Sequence, residues 1–397
     1  MAMDSKKWSL PIICVNMFVA LLGVGIIIPV LPDMMEHFQV GGTTAGYLTA
    51  AFGITQFFFS PLGGSWADRF GRKPLILSGL CLHALSHLMI ALADGLWLLY
   101  VSRFLGGIGL GLMIPAIMAY VADITGIESR GKGMGYLSAA MSLGIAVGPG
   151  IGGFLAEGGY RAPFYAAAAV TAVAVLVTLF ILPESLQSKN KGAAVKQDNL
   201  WKQLSGSLRS AYFIPLFLVF IMTFGLMNYE TVFPLFAAHG YGFSAKEISV
   251  LITSGAIIGV ITQSWLIGKL LIRFGERKLI NATLLLAALS MAALLLSGNF
   301  WYILIVSMLF FSFTSLMRPA LNTMLSKMAS EKDQGFVAGL NNTYASLGNI
   351  FGPMLAGMLY DVHINVPYSF GAVALVAALF ISLSWKAKGG RPLKQGA

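Results

Sequence analysis

Apolar runs of about 20 residues recur along the chain at 10–31, 45–62, 75–93, 96–122, 133–156, 163–182, 211–238, 248–267, 279–296, 301–324, 335–359 and 368–385. As helices rising about 1.5 Å per residue, runs of this length cross a hydrocarbon core of roughly 30 Å. The pattern predicts an all-α membrane protein with 12 transmembrane helices. One longer polar and basic stretch, 184–209, separates the runs six and six. It reads as a linker between an N-terminal six-helix bundle, 1–183, and a C-terminal one, 210–397. Trp201 could anchor a short interfacial helix there, although a plain linker is the expected form. The first run follows Lys6 and Lys7 but is too long for a signal-peptide core and lacks a small-residue cleavage site, so it is expected to stay as a span.

Composition agrees with this reading, because hydrophobic residues make up 57% of the chain and charged ones only 11%. Soluble domains hold roughly half and a quarter. Charge placement fixes the expected orientation, since basic residues favour cytoplasmic loops. With the N-terminus inside, only Arg161 and Lys246 fall outside and Arg103 and Arg318 within spans, which leaves 22 of the 26 basic residues on the inner side. The net charge of +10 is therefore a topology signal whose counterpart is anionic lipid, with no nucleic acid needed. Both termini are expected in the cytoplasm.

Cys14 and Cys81 are too few for a disulfide framework or a thiolate metal site. His83 and His87 stand at metal-ligand spacing on a helix, but Ala84 follows His83 where a zinc protease would need Glu, and Cys81 at i−2 faces elsewhere. They read as structural or cavity-lining, and no metal is expected. The absence of a Walker-type phosphate loop argues against ATP-driven work by this chain.

The two halves repeat each other at a constant spacing of 204 residues. Gly64, Arg69, Phe70 and Gly71 recur as Gly268, Arg273, Phe274 and Gly275, and Pro115-Ala116 recurs as Pro319-Ala320. Ser142-Leu143-Gly144 recurs as Ser346-Leu347-Gly348, and Gly148-Pro149 with Gly153 as Gly352-Pro353 with Gly357. Duplication of a several-helix unit is implied, and a cavity between two like halves can open to either side in turn.

Between the second and third runs stands Gly64-Ser65-Trp66-Ala67-Asp68-Arg69-Phe70-Gly71-Arg72-Lys73. On its own this is a basic loop with glycines for a tight turn. It resembles the cytoplasmic loop signature of the major facilitator superfamily, with Trp66 as the departure. The resemblance implies a conformational latch at Gly64, Asp68, Arg69, Gly71 and Arg72. The second copy has Ile272 in place of Asp68, so an asymmetric latch is expected.

The fifth run holds Gly144, Gly148, Pro149, Gly152 and Gly153 without any charge, a pattern that lets helices approach closely and bends one of them. It resembles the antiporter signature of the superfamily's drug-exporting branch. Leu22-Gly23 through Pro32, and Arg103 with Gly106, Gly107, Gly109 and Gly111, resemble further patterns of that branch. Through runs such as GIIIPVLP, VADIT, GPGIGGFLAE and RPALN, the chain is similar to the Gram-positive multidrug exporters of the NorA and Bmr type. A multi-pass protein of a bacterial plasma membrane is implied.

Of the 16 acidic residues only Glu230 lies well inside a run, about 12 Å deep by helix rise. Such a charge is read as functional by default. Pro234, four residues on, bends the helix there. Arg318 is the natural partner by depth, and a static pair fixing two helices is the alternative. The similar exporters have an essential acid at the position of Glu230 and an Arg at Arg318, but a second acid where this chain has Ser315. That departure leaves proton stoichiometry and cation preference open.

These features predict a proton-coupled multidrug antiporter working by alternating access. Glu230, Arg318 and Arg103 would couple proton to cargo, and Phe52, Gln56, Gln263, Phe311, Ser315 and Asn349 are pocket candidates. Met227 and Met317 would offer adaptable surfaces. The expected partners are amphipathic small molecules, protons and membrane lipids. The chain is expected to act as a monomer, with no cofactor beyond the proton gradient. A narrow exporter of a tetracycline-like drug, a sugar or a lipid is the alternative. A polytopic membrane enzyme or sensor would need a catalytic constellation that these runs do not hold.

Overall fold

The computed structural model describes residues 2–126, 128–186, 200–208, 210–330 and 333–385, with the side chains of 2–7 and 200–203 excepted. Regular structure among them is entirely helical. In chain order the helices are α1 (Ala2–Ile26), α2 (Leu31–His37), α3 (Gly42–Phe70), α4 (Arg72–Ala91), α5 (Leu96–Ile124), α6 (Arg130–Leu155) and α7 (Ala162–Ile181). They continue as α8 (Leu200–Ser207), α9 (Phe213–Tyr241), α10 (Ala245–Ala293), α11 (Phe300–Met328), α12 (Gln334–Val362) and α13 (Val366–Ser384). α10 is two helices joined at Gly275, whose φ of 73° and ψ of 165° are not helical. With α10 counted twice and the short α2 and α8 set aside, each of the 12 predicted spans has its helix. Among the described residues, nine helices are both long and apolar enough to cross a membrane by composition. α3 and α12 miss that test but run 29 residues each, about 44 Å of helix.

Three local expectations are corrected. The first span ends at Ile26 instead of 31, because Pro29 and Pro32 interrupt an apolar run that otherwise continues, and Pro32 opens α2. The Gly64–Lys73 signature is not a loop. α3 stays helical through Phe70 and α4 starts at Arg72, so Gly71 alone makes the turn, at φ 109°. Gly64 has no close neighbour that demands glycine, its nearest contact being Pro115 at 3.9 Å from a built Cβ. Third, the end of the expected linker is helical, as α8. Linker residues 187–199 and 209 and the basic tail 386–397 lie outside the described residues, as does the side chain of Trp201.

Two compact units emerge, Met1–Val195 with Ala237–Thr253, and Lys196–Phe236 with Ser254–Ala397. In the first, α3 and α4 pack on α5, α1 on α6, and α4 on α7. Ile13, Met17, Leu80, Met113, Ile117 and Tyr120 form its apolar centre. Polar ties supplement that packing, as interhelical hydrogen bonds do in membranes. Asn16 donates its amide to Thr178 Oγ1 at 2.8 Å, and the Tyr120 hydroxyl donates to the Pro183 carbonyl at 2.8 Å. In the second unit, Gly348 and Gly352 of α12 meet the backbone of α9, with built Cβ atoms 2.9 Å from the carbonyls of Phe220 and Phe224. Gly144 and Gly148 meet Phe18 and Leu22 of α1 in the same manner, so the duplication read from the sequence is present in the packing.

Candidate functional site

Arg72 is the centre of a charged network in the first unit. Its guanidinium, 9% exposed, donates to Asp68 at 2.5 Å and through Nε to Asp123 at 3.1 Å. Glu184 accepts the backbone N–H groups of Arg72 and Lys73 at 2.9 and 3.1 Å, which satisfies the free start of α4. Lys73 Nζ reaches the Leu179 carbonyl at 2.8 Å. Ends of α3, α4, α5 and α7 are thereby tied together. Gly71 is held twice over, since a Cβ there would lie 2.5 Å from Glu184 Oε2 and the φ is left-handed. Arg69 takes no part in the ion pairs and lies over the Phe70 ring at 5.2 Å.

Part of this network recurs in the second unit, with the polarity of its ion pair reversed. Adding the repeat spacing to Arg72 and Asp123 gives Glu276 and Lys327, which form an ion pair. Lys73 and Leu179 map to Arg277 and Leu383, and Arg277 donates to the Leu383 carbonyl at 3.2 Å and to Ser382 at 2.9 Å. Arg273 lies over Phe274 at 5.5 Å, as Arg69 does over Phe70. This reversal explains Ile272. A carboxylate there would sit one turn from Glu276, a like-charge pair at i,i+4.

The glycines of α6 face two directions. Built Cβ atoms at Gly144, Gly148 and Gly152 come within 2.4–2.7 Å of the carbonyls of Phe18, Leu22 and Ile26 on α1. Gly153 comes 2.3 Å from Ser249 Cβ at the start of α10. Pro149 lies against Gly25. On the α1 side the contact is through backbone atoms, which leaves no side chain there to adjust.

Glu230 lies half-buried in α9 and has no hydrogen bond or ion pair among the described residues. It does not pair with Arg318, which is exposed on α11. Tyr229, next to Glu230, packs on Phe310, and Arg318 lies eight residues farther along α11, about 12 Å by helix rise, so depth keeps the two apart. Beside Glu230 stands a buried aromatic group that the sequence reading missed. Tyr229 stacks on Phe310 at 4.4 Å and Phe233 at 4.9 Å, meets Phe311 edge-on at 5.6 Å, and donates its hydroxyl to Ser307 Oγ at 2.8 Å. These contacts fix α9 against α11 at the level of the carboxyl. Asn228 is also buried and neither amide atom finds a partner among the described residues.

The remaining candidates divide by unit. Arg103 is buried over the Phe52 ring at 5.6 Å, and among the described residues it has no acidic partner and its Nε is unpaired. Gln56 lies one turn along α3, with its carbonyl 3.0 Å from a Cβ built on Gly111. Phe311 and Ser315 line the side of α11 that faces Gly255 and Gly259. Gln263 is exposed on α10 and Asn349 half-buried on α12. Met227 is half-buried, whereas Met317 is fully buried and offers no surface. His83 and His87 are core residues with Nε2 atoms 3.2 Å apart, His83 also meeting the Ala20 carbonyl at 2.9 Å. Among the described residues no group of three or more His, Cys, Asp or Glu could hold a metal. Asp123 and Glu184 were missed as network members because their partners lie 51 and 112 positions away.

Residues 13–270 and 216–395 match the family model of the Major Facilitator Superfamily. The chain is 44% identical over 391 residues to Multidrug resistance protein 2 of Bacillus subtilis (strain 168), across 98% of this chain and 97% of that one. It is 34% identical over 368 residues to Quinolone resistance protein NorA of Staphylococcus aureus (strain COL), across 93% and 94%. In fold it is similar to a bacterial homolog of the human lysosomal transporter Spinster, with a TM-score of 0.77 at 16% identity, across 95% of this chain and 94% of that one. Its apolar helices, its duplicated bundle and these matches agree that the chain belongs to the Major Facilitator Superfamily.

Proposed function

We propose that this chain is a multidrug exporter that moves amphipathic, often cationic compounds out of the cell in exchange for protons. The observation that carries the coupling is Glu230, a carboxyl inside α9 with no fixed counter-ion. A static ion pair with Arg318 would have occupied it, and none is formed. A carboxyl among apolar groups, free of a partner, can exchange a proton for a cationic cargo as its surroundings change. The two cargoes compete for one charge, which links their flows. Relatives named for multidrug and quinolone resistance support the cargo class.

Alternating access would supply the two-sided exposure. Gly144, Gly148 and Gly152 would keep α6 close on α1 in such a movement, and the Asp68–Arg72–Asp123 network would hold the first bundle together as it moves. Arg103, buried over Phe52, supports a role in orienting cargo or proton. The chain acts without a resident cofactor, on the proton gradient alone, and without enzymatic turnover. Both termini lie in the cytoplasm, and the monomer is the working unit. Reconstituted into vesicles, the chain should move a fluorescent cationic dye only while a pH gradient stands. Transport unaffected by collapse of that gradient would refute the coupling.

A further inference from the structure

The second unit contains an apolar groove of about 360 Å³ between α10 and α11, lined among others by Phe274, Leu279, Thr283, Leu286 and Leu316. Lys278 is its one charged lining residue, near the start of the part of α10 that follows Gly275. Apart from Lys278 the groove offers a polar ligand nothing to hold, because the Thr283 hydroxyl donates back to the carbonyls of Leu279 and Ile280 at 2.9 and 3.0 Å. From Lys278 to Leu286 the α10 helix advances about 12 Å. An apolar trough of that length with a single charge near the start of the helix that lines it has the form of a lipid's tail and headgroup.

That charge is uncompensated. Lys278 is exposed and has no hydrogen bond or ion pair among the described residues. Its neighbours are otherwise engaged, Glu276 by Lys327, Arg277 by the carbonyls at the end of α13, and Arg273 over Phe274. In the first half the equivalent position is Pro74, so this charge belongs to the second copy only. A cationic cargo would be repelled by the ammonium. A phosphate would be attracted, at the depth where a turn between two spans meets the headgroups.

We propose that this groove binds one anionic phospholipid, its phosphate on Lys278 Nζ and an acyl chain laid along Leu279 to Leu286. The test is native mass spectrometry of the purified full chain from mixed micelles of phosphatidylglycerol and phosphatidylcholine with matched chains. The parent should retain the anionic lipid in preference. Lys278→Ala should lower that preference about five-fold, the effect of one basic side chain near anionic lipid, while Lys278→Arg keeps it. Ala282→Trp, which fills the groove, should lower retention of both lipids. Equal retention by the parent, an unchanged preference in Lys278→Ala, or undiminished retention in Ala282→Trp would each overturn the proposal. So would displacement by glycerol phosphate, which carries the headgroup charge without the chains.

Discussion

The reversed polarity of the two charged networks allows a transplant. Arg72→Glu alone would put a third carboxylate beside Asp68 and Asp123, where a guanidinium 9% exposed now serves both. Breaking a buried pair costs about 3–5 kcal/mol. Asp68 and Asp123 are 49% and 29% exposed, and solvent screens them, so the lower end, about 3 kcal/mol, applies. For a unit of roughly 200 residues that lowers Tm by about 6–12 °C. The triple variant Asp68→Ile, Arg72→Glu, Asp123→Lys installs the arrangement of Ile272, Glu276 and Lys327 at the equivalent positions. It should recover all but about 1 kcal/mol of the loss, as a surface-type pair replaces a better shielded one. Thermal unfolding of the three proteins in detergent, with dye efflux in vesicles as a second readout, measures both steps. A triple variant no more stable than Arg72→Glu, or a single variant as stable as the parent, would refute the argument that the repeat conserves the pair and reverses its sign.

Two further substitutions probe the packing. Gly148→Ala places a Cβ 2.7 Å from the Leu22 carbonyl and 2.9 Å from Gly25 Cα, both backbone atoms, so α1 and α6 must part. A loss of about 1–3 kcal/mol and slowed transport are expected, whereas Gly135→Ala on the same helix, with nothing within 4 Å, should keep both stability and rate. Tyr229→Phe removes a buried 2.8 Å hydrogen bond and leaves Ser307 unpaired, for a loss of about 1–2 kcal/mol that Ser307→Ala should partly restore. Denaturant or thermal unfolding decides each case, and additive losses in the second pair would contradict the bond.

The spans were legible because burial in lipid leaves long apolar runs, and the duplication because glycine, proline and charged positions keep one spacing. Boundaries failed where chemistry continues across a break. Ile26 to Pro32 stays apolar after α1 has ended, and α3 stays helical into residues that are polar enough to look like a loop. Asp123 and Glu184 were invisible as partners of Arg72 because only the fold brings helix ends together. Yet the repeat spacing held a usable signal, since Arg72 and Asp123 map onto Glu276 and Lys327, a pair of opposite signs exchanged together. The Glu230–Arg318 pairing failed for a different reason, in that depth was counted from span ends, whereas Tyr229 packs level with Phe310 and leaves Arg318 about 12 Å farther along α11. The Tyr229 cluster was missed because aromatic residues are common in such a chain and only packing distinguishes these.

The role of Glu230 is tested most directly by proton uptake and dye export measured together in vesicles holding either the parent or Glu230→Gln at matched protein density. The account predicts that the amide variant inserts and folds as the parent does, yet shows neither gradient-driven export nor dye-dependent proton movement. Export by Glu230→Gln at the parent's rate, with the same number of protons moved per dye, would contradict it.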